Sequence, residues 1–542
     1  MQETAAGTRV RPAIDWVVAG ILIVLVAHAL IRIFGSTNFS IDDTETVVHT
    51  QVLQPYYALR NPPLFDWLFF ALSRVLGVSN PTFQVLKVAM VFAAACFLYA
   101  AARPAFRYRG ALEASFAGYG ITAFFGWDMY QQFTHGIALI FSMAFALWAV
   151  MRVVRSGRTP DFLILGLALG LGILSKYLFL LYFAALIVSA CLRPAHRRHL
   201  LSWRLGLSLV VALVAISPLV IGLAIHTDAI MAYLDRRMVG SAEVGVIQSL
   251  GITLLLSGEF WLPLSIFIFL SLRQWPAAAS APAIPDRPGD PDFYPFVRDA
   301  TLMLAGAVLF SVIVMHTSIP IHGGRYLLPE LSLLPLVIFA RIDRIRPFPG
   351  LAMQRFRQGA LILVAIIALG RFLIFLFVSP PFCVPRCTIF VDFRPVAERI
   401  AALAGDKQPV ILSDDVHTGS NLLRLVPNAR VVMDYYTAGS DLPLAPPADR
   451  RCFFVWETRE RGGETESLQE ALQESLRRKP TAAELATFAP AEEVTAGWQT
   501  KLLAAHDPAS VYAIAGLDSA SPLCDGHRQP GLSAPPSTDS MQ

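Results

Sequence analysis

The chain is poor in charged residues. Of its 542 residues, 15% are Asp, Glu, Lys or Arg, whereas 55% are hydrophobic and the mean hydropathy is +0.53. Soluble domains carry about 25% charged residues, so this composition excludes an ordinary soluble protein and indicates a membrane protein. The formal net charge of +4 is too small to indicate a protein that binds nucleic acid.

Several nucleotide-binding and metal-binding motifs are missing from the sequence. It contains no Gly-x4-Gly-Lys-Ser/Thr phosphate loop, no Gly-x-Gly-x-x-Gly fingerprint and no His-Glu-x-x-His zinc motif. ATP-driven transport and metalloprotease chemistry therefore have no support. We expect the protein to use no metal ion and no cofactor.

Cysteine is also scarce, with six residues in the chain. Cys96 and Cys191 lie in apolar segments and are interpreted as core residues. The other four are Cys383, Cys387, Cys452 and Cys524. An even number near the C-terminus is typical of an oxidising compartment, and it allows three pairings that the sequence leaves open. A zinc site at the Cys-x3-Cys pair is the weaker alternative.

Hydrophobic segments are abundant, and about eleven of them approach the roughly 17–25 residues that cross a bilayer. They are residues 14–33, 83–102, 111–126, 137–151, 161–174, 177–192, 205–225, 250–272, 300–316, 327–340 and 359–378. A further apolar segment, residues 64–77, contains Asp66 and Arg74 and is interpreted as an interfacial helix. The pattern predicts a polytopic α-helical membrane protein.

Arginine is distributed unevenly between the predicted loops. It is concentrated at 9–11, 103–109, 152–158, 193–204 and 341–357, whereas the alternate loops hold few basic residues. The positive-inside rule then places the N-terminus in the cytoplasm and the first loop, residues 34–82, on the outer side. The N-terminal segment also resembles a signal peptide, and with either interpretation residue 34 emerges outside.

The composition changes at residue 379, where the predicted membrane unit of residues 1–378 ends. Strands are predicted at 410–413, 429–433 and 452–456, with helices near 418–425 and at 464–478. These elements predict a small α/β domain over residues 379–524 on the outer side. The Ser/Pro-rich residues 525–542 are predicted to be disordered.

Polar residues converge on the predicted outer side. Asp42, Asp43 and Glu45 follow the first span, and charges so close to a bilayer are costly and typical of a functional site. The other members of the group are Arg60, His135, Lys176, Arg325 and Tyr326. A carboxylate can accept the proton of an attacking hydroxyl, and cations can neutralise charge on a departing phosphate. The pattern favours transfer of a group away from an anionic phosphate.

Two other classes of protein remain open. A lipid-sugar transporter or flippase would also have many spans and buried charges, although its polar residues should lie near the bilayer midplane. A non-catalytic assembly protein for envelope glycans would have the same topology without an essential carboxylate.

Glu45 and His49 are four residues apart and would share a helical face, but two residues do not specify a metal site.

Five motifs along the chain together resemble those of the GT-C glycosyltransferases. In order, they are Asp42-Asp43-Thr44-Glu45, Asn61-Pro62-Pro63-Leu64-Phe65-Asp66-Trp67-Leu68, Thr134-His135-Gly136, Leu174-Ser175-Lys176-Tyr177 and Gly324-Arg325-Tyr326-Leu327-Leu328-Pro329. The chain is most similar to the bacterial branch related to protein mannosyltransferases and to lipopolysaccharide-core galacturonosyltransferases. Related aminoarabinose transferases carry a Lys just before the Pro-Pro pair, where Arg60-Asn61 stand here.

The resemblance implies a periplasm-facing enzyme of the bacterial inner membrane. Its donor would be a polyprenyl-phosphate sugar, transferred with inversion and without a metal to lipid A, lipopolysaccharide core or another envelope glycan. The family's first-loop acid, the general base, falls on Asp42 or Asp43, with Glu45 positioning a substrate.

The resemblance also implies a set of substrate-binding residues. Lys176, Arg60 and Arg325 would hold the lipid phosphate. His135 would orient a hydroxyl of donor or acceptor, and Tyr326 completes the set.

Overall fold

The structure is a computed structural model of the chain. It describes residues 16–57, 61–130, 133–225, 227, 245–272, 288–315, 324–345, 350–377, 387–432, 442–458, 467–476, 479–499 and 510–525. The helices up to residue 200 are α1 (Trp16–Gly35), α2 (Ile41–His49), α3 (Leu64–Leu76), α4 (Asn80–Ala102), α5 (Arg109–Ile121), α6 (Ala123–Gly126), α7 (His135–Ser156), α8 (Thr159–Ser175), α9 (Phe179–Cys191) and α10 (Pro194–Leu200). The helices from residue 205 to residue 377 are α11 (Leu205–Ile225), α12 (Val246–Leu272), α13 (Phe293–Ile313), α14 (Leu328–Leu331), α15 (Leu334–Ile345) and α16 (Gly350–Phe377).

The predicted hydrophobic segments all fall on helices, but several of these helices are short. Within the described residues, seven helices are long and apolar enough to cross a membrane, or eight if the bent pair α9 and α10 counts as one span. The predicted segments 111–126, 161–174 and 327–340 fall on helices that stay below this length. For example, α5 ends at Ile121 because Thr122 has extended backbone. The count of about eleven spans is therefore not confirmed.

Helix α7 lies at the centre of the membrane unit, and 83% of its most apolar stretch is buried. It packs against α4 and α8, and α8 packs in turn against α11. At Gly166 of α8 a Cβ atom would come within 2.4 Å of the Ser208 carbonyl oxygen of α11. Glycine is needed there because it lets the two helix backbones approach closely.

Helix α3 corresponds to the predicted interfacial segment. It begins directly after Pro62-Pro63 and is not among the helices long enough to span a membrane. Asp66, in its first turn, is buried. The charge that interrupts the apolar pattern of this segment therefore faces the protein interior.

The C-terminal part of the chain forms a five-stranded mixed sheet of order β2-β1-β3-β5-β4. The strands are β1 (Gln408–Ser413), β2 (Arg430–Val432), β3 (Arg450–Glu457), β4 (Glu492–Ala496) and β5 (Ser510–Leu517). Strands β2, β1 and β3 are parallel, whereas β5 is antiparallel to both β3 and β4. The helices are α17 (Arg394–Ala404), α18 (Val416–Leu425), α19 (Leu468–Leu476), α20 (Ala482–Leu485) and α21 (Pro522–Asp525).

Alternate residues of each strand face opposite sides of this sheet. Ile411 and Phe453 pack with α17 and α18 on one face, while Leu412 and Phe454 pack with α19 on the other. The three predicted strands and the helix near 418–425 are confirmed, and the helix predicted at 464–478 is found over Leu468–Leu476. The antiparallel strands β4 and β5 were not predicted.

The structure forms a disulfide between Cys452 and Cys524. This selects one pairing from the three that the sequence left open. The described residues do not include Cys383 or the side chain of Cys387. They also do not include residues 526–542, so disorder of that tail stays a prediction.

Candidate active site

Helix α2 carries the acidic motif and is the centre of the candidate site. Ser40 has extended backbone immediately before the helix, and Asp42 and Asp43 lie in its first turn. Acidic side chains at a helix N-terminus are favoured by the helix dipole. We call the end of the helix bundle that holds α2, the C-terminus of α1 and the N-termini of α4 and α7 the α2 end.

Asp43 is held in a closed ion pair. Its carboxylate accepts a hydrogen bond from the Lys87 ammonium at 2.5 Å and another from the Ser40 hydroxyl at 2.7 Å. Asp43 is fully buried, and the Lys87 side chain is 10% exposed. Asp43 therefore joins α2 to α4.

A second buried carboxylate, Asp66, joins α2 to α3. Its Oδ1 accepts hydrogen bonds from the Thr46 hydroxyl at 2.8 Å and from Nδ1 of His49 at 3.1 Å. Its Oδ2 lies 3.8 Å from Nε2 of His135. Burial alone would raise the pKa of Asp66, but the neighbouring His135 and His49 and the two hydrogen bonds hold it below its ordinary value. The group is therefore ionised at neutral pH.

The predicted residues Glu45, His135 and Lys176 come together around this group. Asn61 donates a hydrogen bond to the Glu45 carboxylate at 3.2 Å. Glu45 and Lys176 both lie close enough to His135 to act on its ring electrostatically. Both ring nitrogens of His135 are buried and have no hydrogen-bond partner among the described residues. The cluster thus offers polar atoms to a substrate.

Asp42 differs from Asp43 in its surroundings. It is half-buried, and its backbone carbonyl accepts a hydrogen bond from the Thr134 hydroxyl at 3.1 Å. Phe133, just before Thr134, has φ 104°, a left-handed conformation that costs about 1–3 kcal/mol for a residue with a side chain. The turn that delivers Thr134 and His135 to the site is therefore strained.

Tyr130, in the 3-10 helix Asp128–Tyr130, is held by two side chains from other helices. The His28 ring of α1 stacks on the Tyr130 ring with centroids 3.8 Å apart. Arg371 of α16 donates to the Tyr130 carbonyl at 2.8 Å, and its guanidinium carbon lies 5.7 Å from the ring centroid. Neither side chain was predicted as part of the site.

The structure does not test the predicted roles of the other three substrate-binding residues. Arg60 and the Arg325 side chain lie outside the described residues. Tyr326 lies in the 3-10 helix Gly324–Leu327, which packs on α12 and α14, and it is 42% exposed. The roles of these residues stay predictions.

Sequence reasoning missed Lys87 and Asp66. Each is an ionisable residue within an apolar helix, and that is a signal for function. Lys87 lay inside a predicted span. Asp66 was noted as a charge in the predicted interfacial helix and as part of a GT-C motif, but it was given no role. Among the described residues, one group could hold a metal ion, and it lies at the end of the bundle opposite the candidate site. Its members are His196, Asp290 and Asp292.

The chain is similar in sequence to known proteins. Residues 60–221 match the dolichyl-phosphate-mannose-protein mannosyltransferase family. Two curated relatives are lipopolysaccharide core galacturonosyltransferases of Rhizobium johnstonii. The chain is 26% identical to RgtB over 66% of this chain and 71% of the relative, and 25% identical to RgtA over 84% and 88%.

Among solved structures, the chain is similar to ArnT from Cupriavidus metallidurans. The apo form gives a TM-score of 0.52 at 13% identity, and the form bound to undecaprenyl phosphate gives 0.53 at 14%. Each comparison covers 82% of this chain and 93% of ArnT. This likeness shows the fold.

The sequence matches and the fold together confirm the predicted resemblance. The chain is a membrane glycosyltransferase whose fold is that of the GT-C enzymes. Within that class it carries a domain of the mannosyltransferase family named above and is related in sequence to the galacturonosyltransferases.

Proposed function

We propose that the protein transfers a sugar from a polyprenyl-phosphate donor to an envelope glycan acceptor, with inversion at the anomeric carbon. The acceptor is lipid A, lipopolysaccharide core or another glycan, and transfer takes place on the periplasmic face of the bacterial inner membrane. The observation that carries the proposal is the gathering of the α2 carboxylates with Lys87, Lys176 and His135 at one end of the bundle. The relatives named for lipopolysaccharide core support the choice of acceptor.

Asp42 is the residue we assign as the general base. A base must reach the acceptor hydroxyl, and Asp42 is half-buried whereas Asp43 is fully buried. The Asp43 carboxylate already accepts hydrogen bonds from Lys87 and Ser40. The ion pair of Asp43 therefore positions α2, and Asp42 is left to carry out proton transfer.

The reaction is a single displacement. The acceptor hydroxyl gives its proton to Asp42 as its oxygen bonds to the anomeric carbon of the donor sugar. The bond between that carbon and the phosphate oxygen breaks, and polyprenyl phosphate leaves with the electron pair. One displacement on a saturated carbon inverts its configuration.

The cations of the site act on the leaving group. Lys176, at the junction of α8 and α9, is half-buried and so has part of its surface available to a phosphate. A cation in a largely buried site stabilises developing negative charge more than it would in water. His135, with both ring nitrogens lacking a partner among the described residues, would hold a sugar hydroxyl.

Mass spectrometry of envelope glycolipids tests the proposal in a deletion strain complemented with single variants. We expect the deletion to lose one sugar mass, and wild type to restore it. Asp42→Asn should lower transfer by about 10²–10⁴-fold, the contribution of a general base. Asp43→Asn should lower it less, and Asp406→Asn, at an exposed position of the C-terminal domain, is the matched control.

The outcomes separate the enzyme from the alternatives. Full restoration by Asp42→Asn, by Asp43→Asn and by the double variant would overturn the carboxylate mechanism and favour a transporter or an assembly protein. An unchanged glycolipid profile in the deletion strain would overturn a glycolipid acceptor. Loss of function with Asp43→Asn alone would exchange the roles of the two acids.

A further inference from the structure

Helix α2 lies between two hydrophobic cores. Val47 packs in the core of the membrane unit, and the next residue, Val48, packs in the core of the C-terminal domain with Val391 and Phe393. Successive residues of a helix point about 100° apart, so one helix can contribute to both cores. The helix that carries the acidic motif is therefore also part of the C-terminal domain.

The chain just before α2 is bound by α18 of that domain. The Phe39 backbone N–H donates to Oδ1 of Asn421 at 3.1 Å, and Nε2 of His417 donates to the Phe39 carbonyl at 3.1 Å. The Arg424 guanidinium carbon lies 5.6 Å from the centroid of the Phe39 ring. These three residues are at positions i, i+4 and i+7, on one face of α18. Both backbone hydrogen-bonding groups of Phe39 are thus satisfied from the C-terminal domain.

The other end of α2 is held by the same domain. The side-chain amide of Gln51 donates to the Val431 carbonyl at 3.0 Å and accepts from the Val431 N–H at 2.9 Å. Strand β2 is an edge strand, and its free backbone groups can pair in this way with an added partner. Gln51 acts as that partner, so the position of α2 follows the position of the sheet.

We propose that the C-terminal domain positions the catalytic helix, with His417 and Asn421 as positioning residues for the carboxylates of α2. The inference rests on the proposed function. Phe39 is followed directly by Ser40, whose hydroxyl donates to Asp43, and both Asp42 and Asp43 lie in the first turn of the helix. A shift at Phe39 therefore reaches both acids. A displacement of about 1 Å can lower the rate of an enzyme by about 10²-fold.

The test uses the full-length protein with His417→Ala and Asn421→Ala. We expect each variant to reduce the sugar added to the envelope glycolipid by about 10–100-fold at equal protein level. His417→Gln keeps an N–H donor and should recover most of the transfer, which a merely structural loss would not allow. Arg399→Ala is the control, since it breaks an exposed ion pair with Glu492 in the same domain.

A second measurement does not depend on activity. Amide hydrogen exchange of residues 41–49 should become at least about tenfold faster in His417→Ala and Asn421→Ala, while residues 135–156 of α7 keep their protection. His417→Gln should restore the protection. Retained protection of residues 135–156 would also show that the variants still fold.

The results distinguish failure of this inference from failure of the proposed function. Wild-type transfer in His417→Ala and Asn421→Ala, with or without faster exchange in α2, would overturn the positioning role. Equal losses for His417→Gln and His417→Ala would do the same. If transfer falls and exchange rises while Asp42→Asn remains active, the positioning role stands and the assignment of the base is wrong.

Discussion

The two ends of the membrane unit use charged residues differently. At the end opposite α2, carboxylates are matched with arginines. Arg152 lies 2.6 Å from Asp161, and Arg193 lies 2.6 Å from Asp299. These contacts are partly exposed and join neighbouring helices.

The α2 end contains buried polar atoms that the described residues do not satisfy. They include both ring nitrogens of His135, Oδ2 of Asp66 and two nitrogens of Arg371. More than nine-tenths of buried polar groups in native proteins are hydrogen-bonded, so such atoms are informative. The opposite end also contains some, among them Nε of Arg193 and Nδ1 of His196. The two ends therefore differ in arrangement: at the α2 end Nε2 of His135 lies 3.8 Å from Oδ2 of Asp66, and neither atom has a hydrogen-bond partner among the described residues.

Breaking the Asp43 ion pair should have the largest effect. Lys87→Met leaves a buried carboxylate without its cation, which destabilises a protein by about 3–5 kcal/mol. We expect a large fall in the thermal unfolding temperature of the purified protein, with transfer reduced in proportion to the protein that unfolds. Adding Asp43→Asn to Lys87→Met removes the uncompensated charge and should restore most of the stability. A single variant as stable as wild type would mean that the pair is not formed.

Removing the charge of Asp66 should have the second largest effect. Asp66→Asn keeps an oxygen that can accept from Thr46 but loses the attraction to His135, and we expect transfer to fall by about 10²-fold. Because the pKa of Asp66 is lowered, its charge is present above the ordinary value of about 3.9 and disappears only as the pH falls through the lower value. The ratio of variant to wild-type activity should therefore stay constant from about pH 5 to about pH 8. A ratio that changes in this range would contradict the assignment.

Two arginines on the same helix give a sharper comparison. Arg371→Ala removes the contact with Tyr130 and should lower transfer by about tenfold through the turn that holds His135. Arg357→Ala, toward the other end of α16, breaks an exposed pair with Glu113 and should cost at most about 1 kcal/mol. Transfer assays on both variants at equal expression check this. Equal losses would show that position along α16 does not matter.

The smallest effect is expected for Arg109→Ala. Arg109 and Glu113 form a pair four residues apart on α5, 2.9 Å apart, with the Arg109 side chain 47% exposed. Such pairs contribute about 0.3–0.5 kcal/mol. Thermal unfolding should change slightly and transfer should not. A marked loss of transfer would mean that the two ends of the bundle are coupled.

Part of the site could be predicted from local sequence. Asp42, Asp43 and Glu45 follow an apolar helix, and Lys176 lies between two others, so their unusual positions are visible without a structure. Lys87 and Asp66 were passed over because each belongs to a segment that otherwise reads as apolar. Their roles depend on which side chain they meet, and Asp43 and Thr46 come from another helix.

The sequence by itself determined a polytopic helical membrane unit, a following α/β region and the GT-C motifs. These properties are local, because hydropathy and helical or strand periodicity are set by neighbouring residues. Only the tertiary structure decided which acid is enclosed by a cation, how His135 meets Asp66 and how α18 holds Phe39. These contacts join residues far apart in the chain, and packing of the helices and the sheet brings them together.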